Sequence, residues 1–74
     1  MDQKLKRLER VIVVAYADNN MNIAETAKAL NYHRNSIAYH LDQIHKRTGI
    51  NPKNFYDLVR LIDHIRETDS GEPS

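Results

Sequence analysis

Residues 23–42 read IAETAKALNYHRNSIAYHLD and contain two helical patterns separated by only a few residues. Helices joined by so short a link cross at a steep angle. The crossing requires a small residue, the turn requires a residue that tolerates left-handed backbone, and apolar residues must follow the turn. The residues that meet these requirements, in chain order, are Ala27, Asn31, Tyr32, Ile37 and Leu41. The segment therefore predicts a helix-turn-helix.

Apolar residues outside this segment also recur at intervals of three and four, the period of an α-helix. Helices are predicted over residues 3–17, 23–30, 34–48 and 52–66. The residues expected to face the core are Leu5, Leu8, Ile12, Ala15 and Tyr16 in the first helix, and Phe55, Leu58, Val59, Ile62 and Ile65 in the fourth. The pattern predicts an all-α, four-helix helix-turn-helix domain over residues 1–67 and a disordered polar tail over 68–74.

Polar residues mark the predicted helix ends. Asn22 and Glu25 have the spacing of a capping box at the start of the second helix. Gly49 occupies the position just after the third helix, where a left-handed residue commonly ends a helix. Asn51 followed by proline predicts an N-cap and a first helical residue for the fourth helix.

Composition narrows the class of protein. The chain has 74 residues, 11 Lys and Arg against 10 Asp and Glu, and no cysteine. This length supports one small core, and the lack of cysteine excludes disulfides, thiolate metal sites and a cysteine nucleophile. The longest apolar run, residues 11–17, is far shorter than the roughly 18–20 residues of a membrane span. We therefore expect a cytoplasmic domain without a membrane segment.

Charge is unevenly distributed along the chain. Residues 28–53 contain five basic side chains and one acidic one, whereas residues 54–74 contain two basic and five acidic side chains. The basic excess falls on the second helix of the predicted helix-turn-helix. That is the helix that faces a DNA duplex in proteins of this plan, so the charge pattern favours duplex DNA as the partner.

The start of the third helix carries side chains suited to reading bases. Arg34 can donate two hydrogen bonds to guanine, and Asn35 can form two with adenine. His33 is either the N-cap of this helix or a base contact. Tyr39 either packs on a neighbouring side chain or contacts a phosphate or a thymine methyl group. The candidate phosphate contacts are Asn22, Lys28, Ser36, His40, Gln43, Lys46 and Arg47.

Three short stretches resemble the C-terminal helix-turn-helix domain of the PucR/CdaR regulators: AKAL at 27–30, YHRNSIAYHL at 32–41 and RTG at 47–49. The resemblance spans roughly residues 10–66, and a weaker one to Fis covers the same window. It implies a DNA-binding domain of a transcriptional regulator, either a stand-alone protein or part of a larger one. Ser36 stands where the family usually has Thr, and His40 where it usually has Arg.

Two kinds of partner remain open at this stage. Sequence-specific duplex DNA binding is the favoured function, with two copies of the chain on adjacent half-sites and Val13 and Val14 as the candidate dimer face. The alternative is a small protein-interaction module, in which Val13, Val14 and Leu61 form a docking face and the basic helix meets an acidic partner.

The histidines and carboxylates do not predict a metal site or an active site. None of the four histidines is four residues from another, the spacing that a helical zinc site uses. The chain also lacks a glycine-rich phosphate loop, a Ser/His/Asp arrangement and paired carboxylates in an apolar setting. We therefore expect no metal, no cofactor, no catalytic residue and no enzymatic activity.

Overall fold

The computed structural model of the chain describes residues 5–70, with the side chains of residues 5–67. The four α-helices are α1 (Arg7–Asp18), α2 (Ile23–Leu30), α3 (Arg34–Thr48) and α4 (Phe55–Ser70). No strand occurs between residues 5 and 70. The prediction of an all-α, four-helix fold is confirmed.

The helix α1 lies at the centre of the packing. It contacts α2, α3 and α4, whereas α4 approaches α1 alone among the described helices. The helix-turn-helix therefore packs on one side of α1 and α4 packs on another. The buried apolar residues between them are Leu5, Ile12, Val13, Tyr16, Ala27, Ile37, Leu41, Ile44, Leu58, Leu61 and Ile65.

The predicted ends of α2 and α3 are confirmed. Asn22 Oδ1 accepts a hydrogen bond from the Glu25 N–H at 2.9 Å, which satisfies an amide that has no partner within the helix. The second half of the expected capping box is absent, because the Asn22 N–H donates to the Asn19 carbonyl at 3.1 Å. Asn31 and Gly49 both adopt left-handed backbone, with φ of 61° and 79°.

The helix α1 begins later than predicted. Residues 5 and 6 are not helical, and residues 3 and 4 lie outside the described part of the chain. The Lys6 N–H donates to Glu9 Oε1 at 2.9 Å, so the Glu9 carboxylate caps the first turn. This contact fixes the first helical residue at Arg7 instead of residue 3.

The helix α4 also begins later than predicted, because a turn intervenes. Asn51 Oδ1 accepts from the Lys53 N–H at 3.1 Å, which closes a turn around Pro52. Asn54 Oδ1 then accepts from the Asp57 N–H at 3.1 Å. The N-cap of α4 is therefore Asn54, and the predicted start at residue 52 is wrong.

The far end of α4 extends past its predicted end. The helix runs to Ser70, whereas the predicted helix ends at residue 66. Residues 68–70, assigned from sequence to a disordered tail, are therefore helical. The rest of the predicted tail, residues 71–74, lies outside the described part of the chain.

The exposed apolar face of α1 differs from the predicted one. Val13 is completely buried, so it does not belong to an outward face. Val11 and Val14 are the exposed valines of α1. The reason is that α1 packs on two sides, which widens its buried arc beyond the single row of residues that the sequence pattern showed.

The apolar face of α4 is narrower than predicted. Leu58, Leu61 and Ile65 are buried, since they form one row of i, i+3, i+7 spacing against α1. Leu61 therefore does not belong to a docking face. Phe55 and Val59, predicted to face the core, are 59% and 42% exposed because α4 has only one helical neighbour.

Candidate nucleic-acid interface

The turn between α2 and α3 is closed by backbone hydrogen bonds. The Tyr32 N–H donates to the Ala27 carbonyl at 2.8 Å, and the Asn31 N–H donates to the Lys28 carbonyl at 3.2 Å. Both bonds require the left-handed conformation of Asn31, which the short amide side chain tolerates. Ala27 is buried at the crossing. The orientation of α3 relative to α2 is therefore fixed by the turn itself.

The helix α3 has one buried row and one exposed row. Ile37, Leu41, Ile44 and Thr48 face the core. The exposed residues on the opposite side are Asn35, Tyr39, Asp42 and Lys46. Tyr39 is 60% exposed, and its ring meets the His40 ring edge to face at 5.4 Å. A helix docked by its buried row therefore presents its polar row outward.

The first turn of α3 is the most open part of this helix. All residues from His33 to Ser36 are exposed. His33 Nδ1 accepts a hydrogen bond from the Asn35 N–H at 3.1 Å, so His33 caps the helix. The first turn contains no acidic residue. Arg34 and Asn35 therefore stand side by side on the exposed helix start, with the positive end of the helix dipole beneath them.

The other end of the outer face carries an ion pair. Lys46 Nζ lies 3.2 Å from Asp42 Oδ2, one helical turn away, and both side chains are largely exposed. An exposed pair of this kind contributes only about 0.3–0.5 kcal/mol, so the ammonium group can exchange Asp42 for a phosphate. Asp42 was not predicted to have a role, although its spacing of four from Lys46 indicates the pair.

Arg47, predicted as a phosphate contact, faces the core side of the domain instead of the outer face. Its Nη1 donates to Glu9 Oε2 at 2.9 Å, and its Nη2 donates to Glu9 Oε1. The Glu9 side chain is only 4% exposed and that of Arg47 is 28% exposed. This bidentate ion pair joins the start of α1 to the end of α3, between residues 38 positions apart in the chain.

The charge state of Glu9 follows from these contacts. Burial by itself raises the pKa of the Glu9 carboxyl. The hydrogen bonds from Arg47 and from the Lys6 amide, together with the positive charges of both residues, outweigh burial and hold the pKa below its ordinary value. Glu9 is therefore a buried carboxylate that depends on Arg47.

The end of α3 also holds the buried hydroxyl of Thr48, a residue on the inner row of this helix. Thr48 Oγ1 donates to the Ile44 carbonyl at 2.7 Å and accepts from the Ile50 N–H at 3.0 Å. It ties the residue after the Gly49 turn back onto the helix. Thr48 and Glu9 are thus buried polar residues whose side chains make structural contacts.

The remaining predicted phosphate contacts fall into two groups. Lys28 and Ser36 are exposed, and Asn22 is exposed with its Oδ1 occupied by the α2 cap. His40 and Gln43 are partly buried and line a cleft of about 240 Å³ between α3 and the start of α1. The structure thus brings most of the predicted residues to α3 and its neighbouring helix ends.

The described residues contain neither a metal-binding cluster nor a membrane-spanning helix. Between residues 5 and 67, no three His, Asp or Glu side chains are arranged to hold a metal ion. None of the four helices is long and apolar enough to cross a membrane over its described length.

Comparison with known proteins gives the family. Residues 10–62 match the PucR C-terminal helix-turn-helix domain. The chain is 39% identical over 63 residues to a Bacillus subtilis (strain 168) protein named "Uncharacterized protein YxkF". This similarity covers 85% of the chain but only 21% of that relative. No solved structure is significantly similar. Since the family match covers most of the chain, the protein belongs to the PucR C-terminal helix-turn-helix family, whose fold fits DNA binding in transcription regulation.

Proposed function

We propose that the chain binds duplex DNA in a sequence-specific manner, with α3 in the major groove. The observation that carries this proposal is the exposed first turn of α3, where Arg34 and Asn35 lie on a capped helix start that contains no acidic residue. In helix-turn-helix proteins this part of the second helix reaches the base edges. The family match supports the same use of the fold.

Base reading is assigned to the exposed side chains at and near this turn. Arg34 donates two hydrogen bonds to guanine O6 and N7, and Asn35 pairs with adenine N6 and N7. Tyr39 lies one turn further along the same exposed row and reaches a thymine methyl group or a phosphate. His33 uses Nδ1 for the cap, so only its Nε2 edge is available to a base.

Phosphate binding is assigned to the groups that flank α3. Lys46 lies at one end of the outer face, and Lys28 lies in the last turn of α2. Ser36, His40, Gln43 and the capped N-terminus of α2 at Asn22 supply further donors. Arg47 is left out of this set, because its guanidinium is engaged with Glu9.

Two copies are expected on DNA. A single small module buries only about 600–1,000 Å² of its surface on DNA, which limits discrimination between sequences. Two modules on half-sites separated by one helical turn, about 34–36 Å, double the contacts. We therefore propose that the operator contains two half-sites.

The test measures affinity for random duplex DNA and for duplexes selected from a random pool, across a range of salt. Each phosphate contact should contribute about −0.9 to the slope of log affinity against log salt. A slope near zero would overturn DNA binding and favour an interaction module.

Two variants distinguish contacts to bases from contacts to phosphates. Arg34→Ala should lower affinity for selected DNA by about 1–3 kcal/mol and leave random DNA nearly unchanged. Lys46→Ala should weaken binding to both DNAs equally and reduce the salt slope by about one contact. Equal losses on both DNAs for both variants would contradict the placement of α3 in the major groove.

A further inference from the structure

One row of α1 is exposed along the length of the helix. Its members follow one another at intervals of four, three and four, which keeps them within about 60° of arc on the helix. They are Arg7, Val11, Val14 and Asp18. The two valines are 45% and 38% exposed, and both charged ends are exposed. Neither Arg7 nor Asp18 has an ion-pair partner among residues 5–67.

The space beside this row is a groove. It has a volume of about 400 Å³, and Ile65 of α4 forms its far wall. On α1 the groove is lined by Val11 and Val14 of the row, by Ala15, and by the charged residues Arg10 and Asp18. A helix laid along α1 would therefore cover Val11 and Val14 and also contact Ile65.

The order of residues in the row matches that of an antiparallel copy of itself. When Val11 faces the partner's Val14, the same register places Arg7 opposite the partner's Asp18. The two-fold axis then repeats both contacts, so that two valine pairs lie between two pairs of opposite charge. A parallel copy would place Arg7 against Arg7 and Asp18 against Asp18, which is repulsive at both ends.

We propose that this row is the self-association surface of the protein, on which a second copy packs its α1 antiparallel. The charge pattern selects both the occupant and its direction, because the row is complementary to itself only in reverse. The proposal rests on the proposed function, since two half-sites call for two copies. It also replaces the predicted face, in which Val13 stood where the structure has Val11.

The surface is small, so the association is weak without DNA. A helix of 12 residues is about 18 Å long. Contact over that length buries much less than the roughly 1,600 Å² of a stable protein–protein interface. Two copies bound to adjacent half-sites have a high effective concentration, and the α1 contact then holds them in register.

Cysteine pairing tests the register directly, because the chain has no cysteine of its own. A disulfide requires Cα atoms about 4.4–6.8 Å apart. In the proposed register, Val11→Cys of one chain faces Val14→Cys of the other. Two Val11→Cys chains are offset by three residues, about 4.5 Å along the axis. An oxidised mixture of the two variants should therefore give the mixed dimer in excess over both self-dimers.

The excess of the mixed dimer is measured by mass spectrometry after oxidation at a protein concentration of about 1 mM, where even weakly associating chains form dimers. A mixed-dimer fraction at the statistical value, or no cross-linking, would overturn the proposed register.

Charge exchange tests the direction of packing. Asp18→Arg should weaken self-association in sedimentation experiments about tenfold, because the two-fold axis turns two attractive pairs into two repulsive ones. Arg7→Asp/Asp18→Arg should restore it, since both pairs are reformed in reverse. Both changes suit the helix dipole, so unfolding does not explain a loss.

Glu67→Arg is the matched control. It makes the same change of charge at an exposed position of α4 and should leave self-association unchanged. If Asp18→Arg and Glu67→Arg behave alike, or if the wild-type chain stays monomeric at about 1 mM, the proposal fails.

Failure here is separable from failure of the proposed function. A chain that is monomeric in every experiment but still distinguishes selected from random DNA retains DNA binding and loses the α1 contact. A chain that cross-links as expected but shows no salt-dependent affinity for duplex DNA retains the α1 contact and loses the proposed function.

Discussion

Arg34 and Arg47 stand in the first and last turns of α3, yet their guanidinium groups meet different surroundings. Arg34 is exposed beside Asn35 on a turn that contains no acidic residue. Arg47 donates two hydrogen bonds to Glu9, a buried carboxylate in the first turn of α1. Positive charge on the second helix of a helix-turn-helix therefore does not by itself mark a DNA contact. The position of the nearest carboxylate decides which arginine is available.

The largest expected effect comes from breaking the pair at the end of α3. Arg47→Met leaves the Glu9 carboxylate buried without its partner and should lower the free energy of unfolding by about 3 kcal/mol. For a domain of this size the melting temperature should fall by more than about 10 °C. Thermal unfolding followed by circular dichroism measures both.

A second substitution distinguishes a lost partner from lost packing. Glu9→Gln/Arg47→Met removes the unpaired charge but keeps an acceptor for the Lys6 N–H, so it should recover at least about half of the loss. Arg34→Met is the control and should leave the melting temperature unchanged, because Arg34 is exposed. A double variant as unstable as Arg47→Met would show that the ion pair is not the cause.

Replacing each arginine by lysine sharpens the contrast, because lysine keeps the charge and loses the two-pronged donor. Arg47→Lys should cost about 1–2 kcal/mol of stability and leave discrimination between DNA sequences intact. Arg34→Lys should leave stability intact and cost about 1–2 kcal/mol of discrimination. Unfolding and DNA titration of both variants give four measurements. If both variants lose stability, or both lose discrimination between DNA sequences, the two ends of α3 do not differ in role as proposed.

The sequence pattern does not predict the difference between Arg34 and Arg47. The helix-turn-helix could be predicted because its signals are local. Ala27, Asn31 and the apolar residues Ile37 and Leu41 lie within one short segment. The pairing of Glu9 with Arg47 joins residues 38 positions apart, and no periodicity connects them. Glu9 would have been recognisable only as an acidic residue on the buried side of an apolar row.

The errors on α1 and α4 have a different origin. A helical wheel shows one apolar row, whereas α1 packs against neighbours on two sides, so Val13 is buried and Val11 is exposed. On α4 the predicted N-cap was Asn51, because proline follows it, whereas the structure uses Asn54. Asn51 closes the turn and Asn54 caps the helix, and the Asn54–Asp57 spacing is the signal that favours the second.

Acid should weaken the end of α3 that Glu9 and Arg47 hold. The pKa of Glu9 is lower in the folded chain than its ordinary value of 4.5. The stabilisation is therefore fully present above about pH 4.5 and is lost as the pH falls through the folded pKa. As the pH falls from about 4.5 towards the folded pKa, the free energy of unfolding should decrease more steeply for the wild type than for Glu9→Gln. The free energy of unfolding is measured by denaturant titrations at several pH values. If it changes with pH equally in the wild type and in Glu9→Gln, the Glu9 carboxyl has the same proton affinity in the folded and unfolded states.

The smallest expected effect concerns the open end of α3, where His33 combines a structural contact with a candidate base contact. His33→Asn keeps a capping oxygen for the Asn35 N–H, so the free energy of unfolding should change by only a few tenths of a kcal/mol. His33→Ala removes the cap and should cost about 1 kcal/mol. Any loss of DNA discrimination that His33→Asn shares with His33→Ala cannot come from the cap, so it measures base reading by the imidazole. If His33→Asn retains full discrimination, the side chain serves the helix alone, and base reading at this end falls to Arg34 and Asn35.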